Sequence, residues 1–169
     1  MDVANLPRRD GVTCPVRLRP VAVGAACLAL TLGWNLLFAS WLGRAALSQA
    51  AERVFSFEPQ VADWVISGVL TPLSETVVMA LIWIVLTKTF ARNPENPRAG
   101  LAYVTIVAVL AFVAHGGTPL ALSRGVAFAL LGLLFLRART DGGLRRAWSE
   151  TATAHIVWNV AGLALLEMF

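Results

Sequence analysis

Charge is scarce in this chain: 14% of its 169 residues are Asp, Glu, Lys or Arg, while 57% are hydrophobic. A soluble domain carries about 25% charged residues, so the composition excludes an ordinary soluble domain and reads as an integral membrane protein. Cysteine is equally sparse. Cys14 and Cys27 have neither the spacing of a disulfide framework nor that of a metal site. Cys14, beside a basic tail, is read as an unmodified thiol rather than a lipidated one. The chain lacks internal repeats, low-complexity tracts and a second domain. It shows none of the inverted repeats that mark secondary transporters, and no His-Glu-x-x-His helix of the kind that holds catalytic zinc. Histidine occurs only twice.

What is there is a series of long apolar runs. Val21–Gly43 is uncharged over 23 residues, about enough to cross a bilayer as a helix. It is longer than the 7–15-residue core of a typical signal peptide and is read as a retained helix. Further runs occupy Trp64–Thr87, Ala99–Ser123 and Thr151–Leu166, and the shorter Gly125–Leu136 reaches spanning length if Arg124 and Arg137 snorkel from its ends. The expectation is an all-α, polytopic transmembrane bundle of about five spans, near residues 21–43, 62–87, 99–121, 122–138 and 147–167, with four as the alternative count. These form one domain, 21–169, after a basic cytoplasmic tail, 1–20.

With the N-terminus inside, eleven basic residues fall on the inner side and three (Arg44, Arg53 and Arg124) on the outer side. That bias predicts an inside N-terminus and an outside C-terminus. The net charge of +4 follows from this topology, and no soluble basic face suggests nucleic acid as a partner. Arg44–Gln60 reads as a short amphipathic helix on the outer surface. Asn93-Pro94-Glu95-Asn96-Pro97 and Asp141-Gly142-Gly143 read as inner turns. Trp41, Trp64, Trp83 and Trp148 lie near expected helix ends, as interfacial anchors do. Asn35, within the first span, reads as a helix–helix hydrogen bond.

Against this background three groups stand out. Glu75 is the only charged residue between Trp64 and Thr87. His115 is the only group from Ala99 to Ser123 that titrates near neutrality, and His155 the only one from Thr151 to Leu166. An ionisable side chain inside a membrane helix costs roughly 2.5–3.5 kcal/mol on insertion scales, so it marks function by default. A carboxylate and two imidazoles are the groups general acid–base chemistry uses. Asn159 follows His155 by four residues, which places both on one helix face. Pro72, three residues before Glu75, breaks or kinks its helix and frees backbone groups there. Gly116-Gly117-Thr118-Pro119 reads as a helix end or cavity-lining loop directly after His115. Glu75 and two histidines also match a zinc ligand set in type, and a scaffold whose polar cluster glues helices together is the non-enzymatic alternative.

Pro72-Leu73-Ser74-Glu75-Thr76-Val77-Val78-Met79-Ala80, Phe112-Val113-Ala114-His115 and His155-Ile156-Val157-Trp158-Asn159 resemble the three motifs of the CPBP family (CAAX protease and bacteriocin-processing, or Abi) of glutamic intramembrane proteases, Glu-Glu-x-x-x-Arg, Phe-x-x-x-His and His-x-x-x-Asn. The resemblance covers about residues 60–166. The last motif matches fully. Thr76 stands where the family has a second Glu, neither Met79 nor Ala80 supplies the usual Arg, and Phe112 precedes His115 by three residues rather than four, with Ala111 in the usual place.

The resemblance implies an intramembrane endopeptidase in which Glu75 and His115 activate a water and His155 and Asn159 donate to the oxyanion. It implies no metal or other cofactor. Its partner would be a membrane-embedded or lipidated protein or peptide, processed at its C-terminus or sorted by cleavage. The Ala/Leu/Arg-rich composition points to a bacterial plasma membrane.

Overall fold

The computed structural model describes residues 18–42, 60–89 and 97–168, and within these every element is helical. The basic tail with Cys14, most of Arg44–Gln60, the side chain of Trp41 and the Asn93–Pro97 turn up to Asn96 lie outside the described residues. Helix α1 is Leu18–Leu42. Helix α2 runs Val61–Thr89 and contains a π-helical segment at Ile66–Leu70. Helix α3 is Pro97–Ala114. A 3-10 turn at Pro119–Ala121 leads into α4, Leu122–Glu167. Non-helical backbone at Gly142 and Gly143 divides α4 into two arms, 122–141 and 144–167.

Three helices, at Arg19–Phe38, Val61–Thr89 and Pro119–Glu167, are long and apolar enough to cross a membrane, and Arg98–Ala114 is apolar but shorter. The distribution of side chains fits an apolar solvent. Leu36 is 71% exposed and Leu101 70%, whereas Thr31, Thr76, Thr151 and His155 are buried. Outward apolar flanks and polar groups kept between helices are what lipid demands.

The helix ends follow from local chemistry. Helix α3 stops at Ala114 and not near residue 121 as expected, because Gly116 and Gly117 take φ of 96° and 62°. The Gly117 N–H reaches the Phe112 carbonyl at 3.0 Å and the Gly116 N–H the Val113 carbonyl at 3.0 Å, the paired bonds of a Schellman cap that require left-handed backbone. Thr118 then caps the 3-10 turn through its side chain. At the other break, Gly143 has φ 77°, and Asp141 beside it pairs with Arg19 at 3.1 Å. The second arm thus starts at Leu144, with the expected turn in place.

Helix α4 is the hub against which α1, α2 and α3 pack. Helix α1 crosses its second arm closely. A Cβ on Gly24 would lie 2.5 Å from the Ala154 carbonyl oxygen, so only glycine fits this small-residue crossing. The core centres on Tyr103, in edge contact with Trp83 at 5.3 Å and tilted against Phe135 at 5.4 Å. Trp83 is 4% exposed and carries Arg139 at 4.7 Å over its ring. It is therefore a core residue and not an outward interfacial anchor. Trp64 donates to Glu167 at 3.0 Å, and Trp34 to the Pro119 carbonyl at 2.8 Å, pinning the end of the bundle opposite the Arg19–Asp141 pair. Asn35 is exposed and not placed between helices.

Candidate active site

The site begins with a backbone irregularity. In the π segment the Thr71 N–H reaches back five residues to the Ile66 carbonyl. The next donor in that register belongs to position 72, which is proline and has no N–H. The Ser67 carbonyl is left without its helical partner, and Asn159 supplies one: its Nδ2 donates to that oxygen at 2.9 Å. A side chain from a neighbouring helix satisfies the freed backbone group, as membrane helices with proline require. Asn159 thus has one N–H engaged in fixing α2 against α4.

One turn beyond the break, Glu75 faces α4. Its Oε2 lies 3.3 Å from Nε2 of His155. The His155 side chain is 1% exposed and that of Glu75 31%. His155 is clamped between rings: Trp158 stacks on it at 5.4 Å and 23°, and Phe128 meets it edge-on at 5.0 Å and 87°. Its Nδ1 has no hydrogen-bond partner among the described residues. Orphaned buried N–H groups are rarer than under-used acceptors. The proton therefore belongs on Nε2, donated to the Glu75 carboxyl oxygen, with Nδ1 left as a bare acceptor.

His115 is the C-terminal residue of α3's cap. Its Nδ1 lies 2.8 Å from the Ala111 carbonyl oxygen. A carbonyl only accepts, so Nδ1 carries the hydrogen and Nε2 is the free lone pair of the neutral ring. Glu75 and His115 line one cavity of about 120 Å³, whose other walls include Val78, Met79, Ile82, Leu110 and Phe128. That volume is several times what one water needs. Two proton acceptors on an otherwise apolar wall can take hydrogen bonds from a water and withdraw its proton.

The structure thus brings Glu75 and His115 onto one cavity and His155 against Glu75, although about forty residues separate each from the next. Asn159 lies on the same arm as His155 but points to the Ser67 carbonyl. Thr76 is fully buried and returns its hydroxyl to the Pro72 carbonyl at 2.7 Å. Met79 packs into the cavity wall. Apolar packing and a self-satisfied hydroxyl therefore occupy the places where the CPBP motif has Glu and Arg. Among the described residues, no three His, Cys, Asp or Glu side chains are grouped to hold a metal ion.

Two contributors escaped the sequence reading. Phe128 touches His115, His155 and Trp158 at ring distances of 6.1, 5.0 and 6.0 Å. Arg124, expected to snorkel outward, instead lies 5.0 Å over the Trp158 ring. Trp158, three residues after His155, had the spacing of a same-face neighbour. Arg124 had no comparable signal, because its partner is on the other arm. No protein-family model, curated protein or solved structure matches the chain, so the geometry of the site is what any functional reading must rest on.

Proposed function

We propose that the protein is a glutamic intramembrane endopeptidase that cleaves a membrane-anchored or lipidated peptide chain. The observation that carries this reading is the pair of acceptors, Glu75 and His115, on one apolar cavity, with His155 at 3.3 Å steadying the carboxylate. In the proposed reaction a water held by Glu75 and His115 loses a proton as its oxygen attacks the peptide carbonyl. The proton returns to the amine as the C–N bond breaks. Of the two residues to which the CPBP resemblance assigns oxyanion donation, His155 has its Nε2–H engaged by Glu75, which leaves Asn159 as the donor. The Asn159 amide has a second N–H, and its anchored first N–H would hold that donor in place. A preorganised donor of this kind contributes roughly 2.7–4 kcal/mol to the rate.

The same reading takes the chain as five spans in a bacterial plasma membrane. The arms 122–141 and 144–167 are each roughly 30 Å or more long at 1.5 Å per residue, so each can cross. The eleven-to-three split of basic residues supports a cytoplasmic Arg19–Asp141 end on this reading.

The test is intact mass of candidate membrane-anchored proteins incubated with the purified protein. Glu75→Gln should abolish cleavage while the protein remains inserted and helical, and exhaustive chelation should leave wild-type cleavage unchanged. Cleavage that survives Glu75→Gln overturns the proposal. One observation favours a second reading, a helix-gluing scaffold: Glu75–His155 and Asn159–Ser67 both tie α2 to α4. In that case Glu75→Gln lowers stability and no substrate is processed by either form.

A further inference from the structure

We infer that Arg124 forms a carboxylate-recognition site beside the cavity. Arg124 lies in the first turn of α4, one helical turn ahead of Phe128, which lines the cavity. Its guanidinium sits 5.0 Å over Trp158, whose ring stacks on His155, which in turn pairs with Glu75. The ring face holds the cation but accepts none of its N–H groups in the plane of the fork. Among the described residues no carboxylate or carbonyl oxygen accepts from Arg124.

A half-buried guanidinium with unused donors is poorly satisfied as it stands. Glu75 is within its electrostatic reach but is already engaged by His155. The fork's two parallel N–H groups match a carboxylate bidentately. The cavity next to it is apolar apart from Glu75 and His115. The ligand that fits is an apolar chain bearing a carboxylate. That this chain is a peptide rests on the endopeptidase reading; that it carries a carboxylate does not.

The experiment uses the full chain in lipid nanodiscs, with empty nanodiscs as control, and three probes: N-dodecanoyl-alanine, its primary amide, and N-dodecanoyl-aspartate with its α-carboxyl amidated. Binding is read by calorimetry and by tryptophan quenching, with no cleavage required. A carboxylate probe should bind the wild type roughly tenfold or more tightly than the amide, the margin expected of a charged hydrogen-bonded pair. Arg124→Gln should remove that preference and Arg124→Lys should keep part of it. Tighter binding of the alanine probe assigns a free C-terminus, and of the aspartate probe an acidic side chain. Trp158→Leu, which leaves the cation but not its platform, should also weaken the preference. Equal binding of carboxylate and amide by the wild type, or a preference that survives Arg124→Gln, overturns the inference. Absence of cleavage by the wild type, with the carboxylate preference present, would count against the endopeptidase reading alone.

Discussion

At the scale of single residues, His115 shows how a backbone contact sets a side chain's chemistry. The Ala111 carbonyl holds Nδ1 at 2.8 Å, so the ring can serve the cavity only through Nε2. Substitution by Asn or Gln tests what that atom does. An amide can imitate the hydrogen bonding of either ring nitrogen but cannot accept a proton as a base. We expect both variants to fold and to lose about 100-fold or more in cleavage rate, the span typical of a general base, as measured by single-turnover cleavage in micelles. A rate within threefold of wild type would leave His115 a packing residue. Glu75, His115 and His155 were legible in the sequence because each is alone in an apolar run. The orientation of Arg124 was not, because it depends on Trp158, more than thirty residues along the chain.

At the scale of elements, the irregular part of α2 couples to α4 through one hydrogen bond. Pro72 removes the N–H that the Ser67 carbonyl would use, and Asn159 replaces it at 2.9 Å. Asn159→Ala should therefore destabilise by about 1–3 kcal/mol, the cost of a backbone carbonyl left without a partner away from water. In a Pro72→Ala background the new backbone N–H can serve Ser67, so the cost of Asn159→Ala should shrink. A double-mutant cycle on thermal or denaturant unfolding in detergent measures the difference, and additive effects would refute the account. The apolar runs revealed the helices themselves. The π segment was hidden, since only the proline's position in a five-residue register discloses it. Likewise the end of α3 was misplaced, because Gly116-Gly117 was read as either a helix end or a loop. The two positive φ values settle it as an end.

At the scale of the whole molecule, contacts pin the described helices at two poles. Arg19 meets Asp141 at one end, and Trp34 and Trp64 are tied to Pro119 and Glu167 at the other. Single cysteines in a Cys14→Ser, Cys27→Ala background, placed at Asp2 and at Met168, should label from opposite faces of sealed vesicles, the first cytoplasmic. Labelling of both from one face would require an even number of crossings and overturn the five-span arrangement. The close α1–α4 crossing at Gly24 could not be read from composition, because one glycine among thirteen carries no mark of the Ala154 carbonyl it will meet.

The pairing of Glu75 with His155 has a consequence for synthesis. The ribosome makes Glu75 eighty residues before His155, so α2 is made before its carboxylate has a partner. Only the second arm of α4 brings the imidazole to 3.3 Å and the Asn159 amide to Ser67. A chain halted before residue 144 therefore holds Glu75 and the Ser67 carbonyl without these partners. The site is complete only once residues 144–167 have been made, so no shorter nascent form holds both the acceptor pair and its supports.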